Sequence, residues 1–409
     1  MKKYRFLVIV LHRTTGIVTQ QPAKKVLFVI ADGIPADVIE QTAIPNIKKI
    51  QEYGQYTRAY VGGDNGTYTE TFTISAPCYM SLLTGTWYNK HNVSDNSIRY
   101  PNYYYKNIFR LLKEEQSDKM IAIFSTWIDN RVKLIGEGLL EAGSVQFDFK
   151  FDGYELDQVA YPHDTEQLYI HNIDKRVIDE ASRCVKTNAP DLSWVYLQYT
   201  DDVGHLFGDS EQQRQAVTYL DDQMGQIWEA IVYRMTHYEE DWLIIITTDH
   251  GRDPIEGKDH GGQSVRERTT WIVTNTPNTN VYFHHYQPAI VDILPTIARF
   301  MNFTIPVESA KELDGVPLIG QISLIKPQAN LNGDILNITW KVLDYAGNVK
   351  IWLSTTNLFK NGMTDDYQLV GTIPIKKEMA LINIKVYPSK FYKIVLEGEH
   401  NMVNTWVFK

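Results

Sequence analysis

The chain has 409 residues, 44% hydrophobic and 22% charged, a balance that excludes a disordered or fibrous polymer and provides for two to three domains at about 150 residues each. Forty basic residues against 49 acidic ones leave a formal charge of -9, so there is no general attraction to a nucleic-acid duplex or an anionic membrane, and an anionic substrate must be held by a local device such as a metal. Two cysteines, Cys78 and Cys184, are too few for a disulfide framework or a thiolate zinc site and allow one disulfide at most.

Met1-Lys2-Lys3-Tyr4-Arg5, the apolar run Phe6 to Leu11 and then His12-Arg13 read as a short, interrupted signal sequence. Residues 1–24 are therefore expected to be a degenerate signal peptide or an N-terminal extension, with a secreted or periplasmic protein in the first case and a cytoplasmic one in the second. No other run approaches the ~18 apolar residues of a membrane span. Lys25 to Ile30 is an apolar, β-branched strand followed by Ala31-Asp32-Gly33, and the pattern recurs at Met120 to Ser125, Trp194 to Tyr199 and Trp242 to Thr247. Strands that are apolar on both faces belong inside a parallel sheet. Helical stretches at Ile44 to Tyr53, Lys106 to Glu115 and Gln212 to Ile231 lie between them, so residues 25–320 are expected to form an α/β domain with a mostly parallel central sheet and helices on both faces.

From about Ile322 the texture changes. Leu336-Ile338-Trp340-Val342, Val349-Ile351-Leu353 and Ile382-Ile384-Val386 place apolar residues at every second position, separated by Asn332-Gly333, Gly347-Asn348 and Asn361-Gly362. Residues 321–409 should form a small antiparallel β-sandwich, which resembles fibronectin type III modules. It either contacts a glycan or covers an edge of the first domain, and Trp340, Trp352 and Trp406 in strand-like stretches favour packing.

Three strand runs end in an aspartate: Asp32, Asp201 and Asp249. Each alone could cap a helix, but parallel strands bring such residues to one edge. His205 follows Asp201 by four, His250 adjoins Asp249, and His260 sits in the Gly-rich Lys258-Asp259-His260-Gly261-Gly262. These six oxygen and nitrogen donors suit two zinc-like ions. In Thr73-Ile74-Ser75-Ala76-Pro77, Ser75 reads either as a helix N-cap or as a nucleophile at a helix N-terminus.

The ordered motifs resemble the alkaline phosphatase superfamily, especially type I phosphodiesterases and nucleotide pyrophosphatases, over roughly Lys25 to Leu318. Asp32-Gly33, Ser75-x-Pro77 leading to Thr84-Gly85, Asp201-x-x-Gly204-His205 and Asp249-His250-Gly251 carry it. The resemblance implies an alkaline phosphatase-like fold, Ser75 as nucleophile, and Asn96 as a ligand of the phosphoryl oxygens with the backbone N–H near Ala76. It implies two divalent ions, zinc foremost, one on Asp201, His205 and His260 and the other on Asp32, Ser75, Asp249 and His250. His260 follows His250 by only ten residues, a compact spacing that looks more like phosphopentomutases and cofactor-independent phosphoglycerate mutases, so His284 and His285 stand as alternatives to it. Sulfatases share the scaffold but carry an arginine where this chain has Tyr79.

The resemblance thus implies a metal-dependent phosphoric ester hydrolase acting through a phosphoseryl intermediate on a small-molecule diester such as a nucleotide. Two ions about 4 Å apart suit the attacking and leaving oxygens of an in-line displacement. A phosphomonoesterase, a sulfatase and a binding protein on a hydrolase scaffold are the alternatives, although every expected ligand position is filled. Trp127, after the Met120 to Ser125 strand, either stacks on a substrate base or packs in the core. Arg131 is the candidate phosphate contact, with Arg252 and Arg266, though a surface ion pair is the ordinary fate of any one of them.

Overall fold

A computed structural model describes residues 21–409, and the Met1 to Arg13 segment lies outside the described residues. The first apolar run forms β1 (Ala23–Ala31), buried without exposure from Val26 to Ala31. It joins β2 (Gln55–Tyr60), β3 (Ile121–Ser125), β4 (Phe149–Phe151), β5 (Leu192–Leu197), β6 (Glu240–Thr247) and β7 (Thr269–Thr274) in one sheet of order β2-β7-β6-β1-β5-β3-β4. The five strands from β6 to β4 are parallel, while β7 runs antiparallel to β6 and to β2. The sheet is therefore mostly parallel with an antiparallel edge, as in many doubly wound folds.

Alternation along β1 separates two cores. Val26, Phe28 and Ile30 pack with the helices Ser75–Thr84, Ile108–Glu115 and Ile293–Met301. Leu27, Val29 and Ala31 pack with Pro45–Tyr53, Leu168–Thr187 and Glu211–His237. Cys78 lies in the first core and Cys184 in the second. The sheet stands between them, both thiols are free, and the disulfide left open by the sequence is excluded. The expected strand at Trp194 to Tyr199 is shifted: β5 ends at Leu197, and a helix (Tyr199–Phe207) takes Tyr199, so Asp201 sits in its first turn. No described helix is long and apolar enough to cross a membrane.

The C-terminal strands β8 (Leu324–Asn332), β9 (Ile335–Val342), β10 (Asn348–Ser354), β11 (Gln368–Pro374), β12 (Met379–Asn383), β13 (Phe391–Glu397) and β14 (Met402–Phe408) form two antiparallel sheets, β11-β10-β13-β14 and β12-β9-β8. Leu336, Ile338 and Val342 of one sheet and Ile351, Leu353 and Ile394 of the other share a core, the outcome of period-2 alternation. Trp406 and Asn404 of β14 contact residues of the first region. Trp406 stacks on Tyr68 with centroids 5.3 Å apart, and its backbone N–H donates to the Tyr68 hydroxyl at 2.8 Å. Buried Lys90 donates to the Glu312 carbonyl at 2.7 Å and to Asn404 Oδ1 at 3.0 Å and pairs with Asp314. Trp340 donates to the Ile375 carbonyl, and Trp352 to Glu397. Trp340 and Trp406 are thus buried in packing, and Trp352 is partly exposed with its indole N–H bonded to Glu397.

Candidate active site

Ala31 pairs with Leu197, and Ile30 with Thr247, so the C-terminal ends of β5, β1 and β6 are level. Asp32, Asp201 and Asp249 follow those ends and converge. Asp32 Oδ1 lies 3.4 Å from His250 Nε2, and Asp249 Oδ2 lies 3.3 Å from it. These three atoms are buried and have no hydrogen-bond partner. Buried polar atoms are nearly always paired, and two carboxylate oxygens with an imidazole nitrogen, all within 4.8 Å of one another, form a donor set that fits a divalent ion such as zinc. His250 Nδ1 donates to the Gly251 carbonyl at 2.9 Å, which puts the neutral ring's lone pair on Nε2. Burial lowers the His250 pKa, but the Asp249 and Asp32 carboxylates outweigh it and push the group up to about 9. Burial and the Asp32 charge hold the Asp249 carboxyl well above its usual range. A divalent cation would relieve both conflicts, and its binding would release protons.

Asp201 and His260 form a second group, which geometry also links to His250. His260 Nδ1 donates to the Thr73 carbonyl at 2.8 Å, and Nε2 stands 3.9 Å from Asp201 Oδ1 and 3.1 Å from His205 Nε2. His205 Nε2 is in turn 3.3 Å from Asp201 Oδ2. Burial and then the neighbouring His250 lower the His260 pKa to about 4, so its ring is neutral and able to coordinate at neutral pH. The ten-residue spacing has a local cause. Asp253 accepts the N–H groups of Ile255, Glu256, Lys258 and Asp259 at 2.8 to 2.9 Å, closing the loop that returns His260 to His250. The alternatives lie elsewhere: His284 is exposed and hydrogen-bonds Thr279, and His285 ends the short Val281–His285 helix.

The motif glycines are explained by Arg252. This arginine is only 1% exposed and donates to the Gly33 carbonyl at 3.1 Å, the Lys258 carbonyl at 2.9 Å and the Asp201 carbonyl at 2.6 Å, besides pairing with the Asp201 carboxylate. A Cβ on Gly204 would stand 2.2 Å from Arg252 Nε, and one on Gly33, whose φ is +68°, would stand 2.3 Å from Asp201 Oδ1. Arg252 is thus buried in the frame of the site, and a surface ion pair does not describe it. Burial would raise the Asp201 pKa, but the Arg252 charge and a hydrogen bond from His205 hold it well below the usual carboxylate range. That stabilisation is full above an unfolded-state pKa of about 4 and is lost as pH falls through the folded value. Arg252→Met should therefore destabilise the metal-free protein by about 3 to 5 kcal/mol at neutral pH, with the deficit shrinking in acid. Urea unfolding across a pH series measures both.

Ser75 opens the Ser75–Thr84 helix, and the cap position belongs to Ile74, with no side-chain cap bond. The capping role open to Ser75 is therefore not the one it takes. The Ala76 N–H, expected to face a phosphoryl oxygen, is instead taken by Asn96 Oδ1 at 2.9 Å. Thr73 ties this helix start to the His260 loop, donating to the Gly262 carbonyl at 2.8 Å and accepting the Gly261 N–H at 3.0 Å. Trp127 follows β3 at the same sheet edge and is half-buried against the core. Arg131 does not offer the free guanidinium expected of a phosphate contact. Its Nε and Nη2 fork onto Asp152 at 2.6 and 2.9 Å, and Nη1 meets Glu137. Arg266 pairs with Asp37 and Asp209.

Two residues close to the ligands are not among the candidates read from the sequence. The Tyr79 hydroxyl, at the position where sulfatases carry arginine, donates to Asp32 Oδ2, and Tyr196 donates to the same oxygen at 2.7 Å.

Comparison with known proteins gives the family. The family model for type I phosphodiesterase / nucleotide pyrophosphatase matches residues 26–300. Ectonucleotide pyrophosphatase/phosphodiesterase family member 7 of Rattus norvegicus is 23% identical over 263 residues, 60% of this chain and 54% of its own. The 2,3-bisphosphoglycerate-independent phosphoglycerate mutase of Mesoplasma florum is 26% identical over 132 residues, 32% of this chain and 24% of its own. The chain thus spans from about a quarter to about half the length of these curated relatives. Among solved structures, Ps i-CgsB in complex with k-i-k-neocarrahexaose aligns with a TM-score of 0.52 at 14% identity, covering 91% of this chain and 88% of that one, a likeness of fold. The family match takes in β1 from Val26 onward, the other parallel strands and every candidate ligand: the chain belongs to the type I phosphodiesterase / nucleotide pyrophosphatase family, in the alkaline phosphatase superfamily of hydrolases.

Proposed function

We propose that this chain, with residues 25–320 as the catalytic domain and 321–409 as the sandwich, is a zinc-dependent phosphodiesterase or nucleotide pyrophosphatase that acts through a phosphoseryl intermediate on Ser75. The observation that carries the reading is the convergence of three unpartnered buried donors, Asp32 Oδ1, Asp249 Oδ2 and His250 Nε2, beside the Asp201, His205 and His260 group. The first set with Ser75 would hold one ion and the second set the other. When bound, such ions supply positive charge at the attacking and leaving oxygens of an in-line displacement.

The chain's own residues do the rest. Ser75 Oγ forms the new P–O bond as the leaving oxygen departs on the opposite side, and a water then attacks the phosphoseryl group and releases serine. Asn96 accepts the Ala76 N–H through Oδ1, and its Nδ2 would donate to a nonbridging oxygen of the phosphoryl group. The state of the arginines supports a diester over a monoester. A monoester brings a second anionic oxygen that rewards a cationic partner, yet Arg131, Arg252 and Arg266 are each committed to carboxylates. With Tyr79 bonded to Asp32, a sulfatase centre is also disfavoured. A setting outside the cytoplasm is supported by the Met1 to Leu11 segment and by the ectonucleotide relatives. A glycan contact on the sandwich would not use Trp340 or Trp406, which are buried.

Zinc-loaded protein assayed on matched nitrophenyl diester, monoester and sulfate substrates should rank the diester first and leave the sulfate uncleaved. A monoester preference would overturn the diesterase reading. Trp127→Ala should lower kcat/KM for an aryl or nucleoside diester by about 1 to 3 kcal/mol, the scale of a lost stacking contact, and should leave a small monoester almost unchanged. Arg131→Ala should not alter the ranking.

A further inference from the structure

Asp32 is asymmetric in a way its motif does not announce. Oδ2 accepts hydrogen bonds from two phenols, while Oδ1 accepts none and faces His250 Nε2. The donors come from different parts of the fold. Tyr196 lies on β5, where it pairs in register with Ile30 of β1. Tyr79 lies one turn along the helix that Ser75 opens. Their rings are 5.1 Å apart, and both residues are buried, at 0% and 2% exposure. Both rings lie within the first apolar core. A buried hydroxyl is costly without a partner, so the carboxylate accounts for both tyrosines. The Asp32 backbone is pinned as well, since its carbonyl accepts the Thr200 hydroxyl at 2.6 Å.

Two donors on one carboxylate oxygen restrain its rotation and draw charge toward that oxygen. The carboxylate then offers its other oxygen alone, and partners of this outer kind orient and tune metal ligands. We propose that Tyr79 and Tyr196 are positioning residues that confine Asp32 to coordination through Oδ1, and that Tyr79 also fixes the Ser75 helix relative to the ion held by Asp32, Asp249 and His250. This rests on the two-ion reading above and adds to it a device joining nucleophile helix and metal ligand through one hydrogen bond.

The test uses full-length Tyr79→Phe, Tyr196→Phe and the double variant, with chelator competition for zinc, visible absorption of the cobalt-substituted proteins, and kinetics. Each single substitution should weaken retention of one of the two ions by roughly 10- to 100-fold and change the cobalt spectrum, leaving the other ion's affinity unaltered. The double variant should lose more than the two singles combined, because either remaining phenol still restrains the carboxylate. Tyr79→Phe should lower kcat more than Tyr196→Phe does, with KM little changed, since only Tyr79 sits on the Ser75 helix. Wild-type zinc affinity and an unchanged cobalt spectrum in the variants would overturn the proposal and leave the two-ion reading standing. A wild-type protein that binds neither zinc nor cobalt would overturn both. If the double variant fails to fold, the single variants, each keeping one donor, decide the question.

Discussion

Asp249→Ala is expected to abolish retention of one ion and to remove nearly all turnover. Asp249 sits at the end of β6 with no exposure, and its two oxygens have separate tasks. Oδ1 accepts the Gly33 N–H at 3.0 Å, fixing the turn after Asp32, and Oδ2 points without a partner toward His250 Nε2. Alanine deletes a charged ligand and loosens the turn that aims a second one. The loss should exceed the roughly 10- to 100-fold that removal of an outer hydrogen-bond partner costs. Elemental analysis of the purified variant, beside kcat on a nitrophenyl diester, measures both effects.

Ser75→Ala should separate binding from chemistry. Six Asp and His donors remain, and the N-cap position of the helix belongs to Ile74 and not to Ser75, so the variant should fold normally and keep both ions. Turnover should fall by roughly 10⁴-fold or more, the order seen when a nucleophile is removed from an otherwise intact site. Turnover close to wild type would mean that water attacks phosphorus directly.

The legibility of this protein follows the range of the interactions involved. The parallel strands were readable because a strand covered on both faces becomes a continuous apolar run, as Val26 to Ala31 does, and the sandwich because its alternation has period 2. The antiparallel edge was not, since half-exposed β2 carries Gln55, Thr57 and Arg58 and lacks that pattern. Asp32, Asp249 and the histidines stood out through chemistry and spacing. Tyr79 and Tyr196 did not, because their role depends on a carboxylate 47 and 164 residues away. The burial of Arg252 is hidden in the same way: it depends on space left by Gly33 and Gly204, which a linear pattern does not display. Arg131 is paired with Asp152 and Glu137, carboxylates 21 and 6 residues away whose approach no local pattern announces.

The central claim is that six side chains at the strand ends hold two divalent ions around Ser75. Anomalous diffraction from crystals of the zinc-loaded protein, collected on both sides of the zinc edge, tests it most directly. Two peaks are predicted, one within about 2.0 to 2.2 Å of Asp32 Oδ1, Asp249 Oδ2 and His250 Nε2 and the other at a similar distance from Asp201, His205 and His260, with Ser75 Oγ beside the first. A zinc-loaded crystal with no peak at these side chains, or with a single peak that leaves Asp32 and Asp249 unligated, would contradict the account.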